Sequence, residues 1–176
     1  DVWAKPDYTE DEWPLQFMLS TPASSKSEEF AEGISILTYM RFDEVEKWKD
    51  SHNTIVSQSQ RPADYQTWKN QKTEQLLVAV EKRFPEIRNC IQSVHASTPL
   101  TFRDYIGNDD GNMYGTEKDF RKGIANFIAP QTKIPNLWLT GQYLNLHGIF
   151  GVTISSVVTC SQVLDRKKLL ERIKNI

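Results

Sequence analysis

Two short apolar runs predict a pair of strands near the amino terminus, the second of them rich in β-branched and aromatic residues. Residues 15–20 and 34–40 have the composition of strands. The polar stretch between them contains Pro22 and Gly33, which favour turns, so we expect a loop and antiparallel pairing. The first twelve residues have no hydrophobic period and are expected to form an extended or loosely docked arm.

Two helices are predicted after the strand pair. Residues 43–49 are typical of a short helix, with Asp43 as N-cap and Glu46 three positions later. A long helix should begin at Pro62 and end at Pro85, because proline cannot donate to the preceding turn. Its apolar side chains recur at helical spacing and are expected in the core: Tyr65, Trp68, Leu76, Leu77, Val80 and Phe84.

Strands and helices continue to alternate in the second half of the chain. Residues 91–96 predict a strand, and Thr98 with Pro99 predicts a capped helix through about residue 105. The stretch 106–115 (IGNDDGNMYG) cannot be regular structure. Residues 136–140 predict an apolar strand covered on both faces, and 151–164 predict a helix.

The predicted fold class is α+β. It comprises a small mixed or antiparallel sheet, a long helix across it, and a carboxy-terminal strand–loop–helix. We expect residues 1–130 to belong to one domain and residues 131–176 to a second segment.

Bulk properties exclude several classes of protein. The 176 residues carry a net charge of −2 with both signs interspersed, which argues against nucleic-acid binding. No apolar run is long enough to cross a bilayer, and the two cysteines, Cys90 and Cys160, suit neither a disulfide framework nor a metal site. We expect both cysteines in the core of a cytoplasmic or membrane-peripheral protein. A start without methionine fits either processing or, more simply, a piece of a longer polypeptide.

The most informative local pattern is the strand–loop–helix after residue 136. Gly141 ends the predicted strand, and the helix begins near Gly148 to Gly151. A helix start carries unpaired N–H donors and partial positive charge, which suit a phosphate or an electron-rich ring edge. Glycines between a strand and a helix serve packing equally often. A complete dinucleotide-binding fingerprint is absent from the sequence, so the chain cannot hold a dinucleotide by the usual route.

A second pattern lies upstream. The helix that starts at Thr98-Pro99 is followed by Gly111-Asn-Met-Tyr-Gly115, whose two glycines allow a backbone to approach a flat ligand closely. A plain surface turn is the alternative for this pattern taken alone.

Together these motifs resemble a known family. The runs 97–105 (STPLTFRDY), 111–115 (GNMYG), 134–142 (IPNLWLTGQ) and 147–152 (HGIFGV) are similar to the end of the phytoene-desaturase, carotenoid-isomerase and retinol-saturase group of FAD-dependent oxidoreductases. Within that group they most resemble bacterial proteins similar to retinol 13,14-reductase. The resemblance covers residues 91–165 well and the first ninety by pattern only.

The resemblance implies an FAD enzyme acting on an apolar polyene, a retinoid or carotenoid, whose amino-terminal Rossmann half is missing here. It places Gly141 and Gln142 beside the ribityl-pyrophosphate. It places Gly148, Gly151 and Val152 at the helix start facing the flavin ring. The loop with Gly111, Tyr114 and Gly115 should lie near the isoalloxazine or the substrate tunnel. The isolated chain should then lack FAD, be inactive and tend to self-associate.

One departure from the family pattern concerns the loop before the helix. Desaturases of the group commonly have a His-Pro-Gly-type run, where this chain has Asn145-Leu-His-Gly148. His147 could lie beside the flavin or make a loop-stabilising hydrogen bond, and the flavin contacts and reaction direction stay open.

Two alternative functions remain. A non-catalytic module could bind an apolar ligand or partner through Trp13, Phe17, Trp48 and Trp68, which core packing explains equally well. An amine-oxidase-like substrate is a weaker option, since no aromatic cage is evident in the sequence.

Overall fold

The computed structural model describes residues 7–22, 29–55 and 61–175. The chain divides into two compact units, one ending at Gly111 and the other beginning at Asn112. The predicted division after residue 130 concerns domains of a longer protein and stays a prediction. Within the arm and the first loop, residues 1–6 and 23–28 lie outside the described residues.

The predicted antiparallel pair of strands is confirmed in the first unit. Strand β1 (Phe17–Ser20) pairs with β2 (Ser35–Thr38), so that Phe17 lies opposite Thr38 and Ser20 opposite Ser35. The Thr38 hydroxyl donates to the Gln16 carbonyl at 2.7 Å, which extends the pairing by one contact. The observed sheet is two-stranded and antiparallel, which agrees with α+β and not with the mixed option.

The core of the first unit forms where three helical segments meet. These are a 3-10 segment (Phe42–Trp48), helix α1 (Ala63–Glu81) and helix α2 (Pro99–Ile106). The Trp48 and Tyr65 rings meet edge to face at 5.2 Å, and Leu100 is fully buried beside them. The long helix therefore covers this cluster, and Trp48 acts as a core residue.

Most of the predicted α1 stripe is confirmed, and its end is not. Tyr65 and Val80 are buried and Trp68 packs on the core cluster, but Phe84 is 52% exposed. The helix ends at Glu81, four residues before Pro85. Phe84 therefore follows the helix in a turn and does not continue its apolar face.

The two predicted caps have different outcomes. Thr98 is the N-cap of α2 as predicted, and its N–H donates to the Thr101 hydroxyl at 3.2 Å. The predicted Asp43 N-cap is wrong, because Arg41 occupies the cap position of the 3-10 segment. Asp43 accepts instead from the Arg41 guanidinium at 3.1 Å, which is an exposed ion pair.

The amino-terminal arm docks more tightly than its composition predicted. Tyr8 and Trp13 are each only 6% exposed. The Tyr8 hydroxyl donates to the Glu44 carboxylate, and the Trp13 ring N–H donates to the Tyr39 carbonyl at 2.9 Å. Burial and the Glu44 carboxylate raise the pKa of the Tyr8 hydroxyl well above its ordinary value. The aromatic residues of the arm thus join the first unit.

The strand predicted for residues 91–96 is wrong as a paired element. These residues follow the 3-10 turn Ile87–Cys90 and have no ladder partner within the described chain. The prediction that Cys90 and Cys160 are core residues is also wrong, because both are exposed free thiols. Cys90 ends a surface turn, and Cys160 lies on the outer face of a helix in the second unit.

A buried ion cluster joins the loop before α1 to helix α2. The Asp104 side chain is fully buried and accepts from Arg61, from Arg103 at 2.6 Å and from the Asn53 N–H at 2.8 Å. Burial alone would raise the pKa of Asp104, but these donors and both cations outweigh it, so the pKa is lowered. Arg61 and Arg103 also donate to the backbone carbonyls of Lys49, Ser51 and Leu100.

The second unit is built around two consecutive helices, α3 (Gly148–Val163) and α4 (Arg166–Lys174). Its other helical segment is a 3-10 stretch, Phe120–Asn126. The predicted helix 151–164 is confirmed and begins three residues earlier. Among the described residues, no helix combines the length and apolar composition needed to span a membrane.

The strand predicted for residues 136–140 is also wrong. Only an isolated antiparallel bridge forms there, between Gln131 and Trp138, with the Leu139 N–H donating to the Pro130 carbonyl at 2.8 Å. The segment is joined to α3 by one bond, in which the Thr159 hydroxyl donates to the Leu139 carbonyl at 3.0 Å, while Leu137 and Leu139 are each 43% exposed.

Gly111 and Gly107 provide a matched test of packing in the first unit. Both have positive φ, but a β-carbon at Gly111 would lie 2.3 Å from the Pro99 oxygen, whereas Gly107 faces open space. We expect Gly107→Ala to cost about 1–2 kcal/mol from backbone strain alone. Gly111→Ala should lower the free energy of unfolding by about 1–3 kcal/mol more, from overpacking. Equal losses in urea unfolding would contradict this account.

The Asp104 cluster predicts an acid-dependent stability. Because the folded pKa is lowered, the stabilisation is present above the unfolded pKa of about 4 and is lost as pH falls through the folded value. Asp104→Asn should cost about 3–5 kcal/mol at neutral pH, since two buried guanidinium groups lose their partner. The acid-side loss of stability should also shrink in this variant.

Asp43→Asn is the control, because Asp43 pairs with Arg41 on the surface with its own side chain 62% exposed. An exposed pair of this kind contributes less than about 1 kcal/mol. Urea unfolding between acid and neutral pH checks both variants. A neutral-pH loss at Asp104 no larger than that at Asp43 would contradict the assigned role of the cluster.

Candidate functional site

The start of helix α3 is an open, apolar helix end. Gly148 has φ of +74° with nothing within 4 Å of its missing β-carbon, and the His147 side chain does not cap the helix. Ile149 and Phe150 in the first turn are 92% and 78% exposed. The sixteen residues of α3 contain no charge, so partial positive charge and free N–H donors meet an apolar surface here.

The two segments that the sequence assigned separately to a flavin lie against each other in the second unit. The rings of Tyr114 and His147 are 4.7 Å apart between centroids. The Gln142 side-chain amide donates to the Met113 carbonyl at 3.1 Å. The loop 112–115 therefore packs directly on the loop that precedes α3.

The conformation of the loop 112–115 is fixed by the Asn112 side chain, which sequence reasoning missed. Asn112 Oδ1 accepts from the backbone N–H groups of Tyr114 at 3.2 Å and Gly115 at 2.9 Å. Such a turn, in which a side-chain oxygen caps the backbone two and three residues on, is a common role of asparagine. The Asn-x-x-Gly spacing was the sequence signal for it.

The loop that precedes α3 is held in place by Asn145 and Lys118. The Asn145 side chain makes two bonds to Ile128, accepting from its N–H at 2.9 Å and donating to its carbonyl at 2.8 Å. The Lys118 ammonium donates to the Leu144 carbonyl and to the Asn126 carbonyl at 3.1 Å. No local signal in the sequence identifies Lys118, because its partners lie 8 and 26 residues away.

At three of the predicted site glycines, close packing within the protein already excludes a side chain, without any bound ligand. A β-carbon at Gly151 would lie 2.7 Å from the Leu146 carbonyl carbon, and one at Gly115 would lie 2.7 Å from the Tyr143 Cα. Gly111 meets Pro99 in the first unit, as described above. These glycines allow close backbone contacts, and their predicted cofactor roles stay predictions.

The remaining predicted residues line the path into the helix. Gly141 has φ of +102° with open space around it, and it precedes Gln142 at the turn. Val152 is half-buried one turn into α3. Gly141 and Gly148 are thus the two predicted glycines of the second unit that leave room for a bound group.

The polar groups along α3 are largely satisfied within the helix. The hydroxyls of Thr153, Ser156 and Thr159 donate to carbonyls four residues earlier at 2.8 to 2.9 Å. Trp138 has a buried ring N–H with no hydrogen-bond partner among the described residues. The exposed surface at the start of α3 therefore offers mainly apolar contact.

FAD, which the family resemblance implies, fits these residues in part. The helix start offers backbone donors to an anionic oxygen or to an electron-rich ring edge, and Ile149 and Phe150 offer apolar contact to a flat ring. The sequence contains no glycine-rich fingerprint that would bind the nucleotide end of FAD. The arrangement suits one face of a flavin site and not a complete one.

Comparison with known proteins gives relatives of one kind. The chain is 30% identical to the all-trans-retinol 13,14-reductase of Danio rerio over 171 residues, 96% of this chain and 26% of that protein. It is 32% identical to the human protein of the same name over 119 residues, 66% of this chain and 19% of that protein. The Rattus norvegicus protein is 29% identical over 136 residues, 76% of this chain and 22% of its own length.

No family model matches the chain, and no solved structure matches it. The chain spans about a quarter of the length of the first of these curated relatives. The match includes almost all of the chain, so it extends over the first ninety residues, where the sequence motifs were weakest. The part of the resemblance that concerns retinol 13,14-reductases is confirmed, and the chain belongs to the retinol saturase-like family.

Proposed function

We propose that this chain is the carboxy-terminal portion of an FAD-dependent oxidoreductase acting on C=C bonds of a polyene, either a retinoid or a carotenoid. The relatives are named for the reduction of all-trans-retinol, which makes a retinoid the first substrate to test. The observation that carries the proposal is the packing of the Tyr114 loop on the His147 loop, directly before the uncapped start of α3.

In this proposal the helix start and the two loops form one wall of a flavin site. FAD, when bound, supplies the two-electron step, and the protein binds and orients the reactants. Gly141 and Gln142 lie beside the ribityl-pyrophosphate, while Gly148, Gly151 and Val152 face the ring. Gly111, Tyr114, Gly115 and His147 line the side nearest the ring or the substrate.

The substrate side of the proposal rests on exposed apolar side chains. Leu146 is 45% exposed and precedes the exposed Ile149 by three residues in the chain. A polyene needs an apolar tunnel that excludes water more than it needs acid and base residues. Trp13 and Trp48, which a non-catalytic binding groove would need at the surface, are buried in the first unit. We therefore favour the enzyme over the apolar binding module.

The nucleotide-binding half is the partner that this proposal requires. The chain contains no glycine-rich dinucleotide fingerprint, and the zebrafish relative is about four times longer than the matched region. We propose that a Rossmann half elsewhere in a longer polypeptide holds the ADP portion of FAD. The isolated chain is then inactive, and its exposed Ile149 and Phe150 promote self-association.

The requirement for a second half predicts a clear difference in flavin binding. The chain alone should show no saturable FAD binding in a fluorescence titration. The longer gene product should carry flavin through gel filtration and show its visible absorbance band. Incubating the reduced holoprotein with all-trans-retinol and separating the products by chromatography tests the substrate class. Tight FAD binding by the chain alone would contradict the proposed division of labour.

The role of the α3 start can be tested by reversing its local charge. Ile149→Glu places a carboxylate at an exposed helix start, which should stabilise the isolated chain by about 0.3–1 kcal/mol. The same carboxylate should repel an anionic flavin group and weaken FAD binding to the longer protein by about tenfold, or 1.4 kcal/mol.

Ile149→Gln is the matched control, since it has the same length without the charge. It should leave FAD binding close to that of the unmodified protein. Thermal unfolding measures the first effect and FAD titration the second. Equal FAD affinity of the Glu and Gln variants would show that this helix end does not face the cofactor.

A further inference from the structure

The outward face of α3 is a continuous row of exposed, uncharged side chains. Its members follow one another along the helix at alternating spacings of four and three residues: Ile149, Thr153, Ser156, Cys160 and Val163. Because an α-helix turns once every 3.6 residues, this spacing places all five on one side of the helix. These five side chains form the α3 stripe.

The buried residues of α3 lie on the opposite side from the stripe. They are Gly151 and Ser155, and Gly151 is two positions after Ile149, about 200° around the helix axis. The helix therefore packs with one side against its own unit and presents the stripe outward. At the two ends of the stripe, Ile149 is 92% exposed and Val163 is 56% exposed.

The chemistry of the stripe is that of a packing surface. The outward face of a solvated helix normally carries charged and polar side chains, whereas α3 contains no charge. The Thr153 and Ser156 hydroxyls donate to carbonyls of their own helix, and the Cys160 thiol behaves as a small hydrophobic group. The side chains in the middle of the stripe are small, so a partner can approach closely. The stripe therefore fits an apolar partner without charges.

The second unit also buries little of its own apolar surface. Among its described residues, Leu144 is the one large hydrophobic side chain that is buried, while Ile124 is 93% exposed and Phe150 is 78% exposed. A unit this small depends on burying most of its apolar surface. Large exposed apolar patches commonly mark contact surfaces. The second unit therefore requires further apolar cover.

The rest of a longer polypeptide is the occupant that these observations favour. The chain matches 26% of the zebrafish relative, so about three quarters of that protein lies outside the match. A surface on the same polypeptide meets the stripe at an effective concentration on the order of millimolar, which a second copy in solution rarely reaches. We infer that the α3 stripe is covered, in the longer protein, by an apolar and uncharged face of the polypeptide outside residues 1–176.

This inference rests on the longer polypeptide of the proposed function, but it concerns a different surface. The proposed function places the flavin ring at the start of α3. Cys160 lies eleven residues after Ile149, about 16 Å farther along the helix axis. A ring at the helix start does not reach that far, so protection of Cys160 reports the polypeptide cover and not the cofactor.

Thiol labelling tests the inference, because Cys160 lies within the stripe and Cys90 lies on a surface turn of the first unit. In the isolated chain, both thiols should react with a maleimide at the rate of an exposed cysteine. In the longer gene product, Cys160 should react at least about a hundredfold more slowly, while Cys90 keeps its rate. Peptide mapping by mass spectrometry assigns each label. Undiminished labelling of Cys160, equal slowing of both thiols, or a gene product no longer than this chain would overturn the inference.

Two other occupants of the stripe give distinct results in the same assay. Protection of Cys160 in the isolated chain that grows with protein concentration would assign the stripe to a second copy. Protection in the longer protein that appears only after phosphatidylcholine vesicles are added would assign it to a lipid surface. Either result would overturn the inference.

Substitutions at Ser156 give a second readout that does not depend on thiol chemistry. Ser156→Asp places a short carboxylate in the middle of the stripe, and Ser156→Ala is the neutral control. In the isolated chain the two variants should differ only by the weaker helix propensity of aspartate, since this position is exposed there. In the longer protein, Ser156→Asp should melt at least about 5 °C below Ser156→Ala, because the covered charge has no partner. A difference no larger than that in the isolated chain would contradict a covered stripe.

Flavin content, measured on the same samples, separates this inference from the proposed function. Bound flavin together with a reactive Cys160 refutes the apolar cover alone. A protected Cys160 in a protein that binds no flavin refutes the proposed function alone.

Discussion

The two bonds between the Asn145 side chain and the Ile128 backbone are the constraint on which the second unit depends. They reproduce with a side-chain amide the donor and acceptor pair that a neighbouring strand would supply. Lys118 adds bonds to carbonyls on both sides of the same junction. Because this region has only an isolated bridge in place of a sheet, these side chains fix where the loop runs and where α3 begins.

The loop positions follow from that constraint. With the chain fixed at residues 144 and 145, Tyr143 and His147 lie on either side of a short anchored stretch, and both meet the 112–115 turn. Gly115 and Gly151 allow the backbones to approach at this point, since a side chain at either position would collide with Tyr143 or Leu146. A family-level motif rich in glycine can therefore reflect the close packing that builds a site as much as contact with a ligand.

Local patterns predicted the elements that are stabilised by their own residues. The Thr98-Pro99 start of α2, the length of α1 to within one turn and the β1–β2 pair all follow from propensity, capping and turn chemistry. The two predicted strands at 91–96 and 136–140 failed for another reason. A strand exists only with a partner, and neither segment finds a full one within the described chain. Phe84 was misplaced because α1 ends before it. Cys160 was misplaced because apolar neighbours in the sequence do not tell which face of a helix is covered.

The candidate site was predictable in its motifs and not in its supports. Gly148 and the Tyr114 loop were evident from glycine spacing and from family resemblance, whereas Lys118 and Asn145 act through partners that only the folded chain brings near. The buried Asp104 cluster is a similar case in the first unit. One of its cations, Arg61, lies 43 residues from Asp104 in the sequence, and the other, Arg103, is its direct neighbour. Neither spacing forms a recognisable motif.

The internal hydroxyl bonds of α3 have an energetic consequence for this helix. A side-chain hydroxyl moved from water into an apolar environment without a partner costs roughly 1–3 kcal/mol by protein mutational data. Thr153, Ser156 and Thr159 already bond carbonyls of their own helix, and the helix has no charged residue. Enclosing α3 on all sides would therefore carry almost no desolvation penalty from these three groups, although its sequence looks half polar.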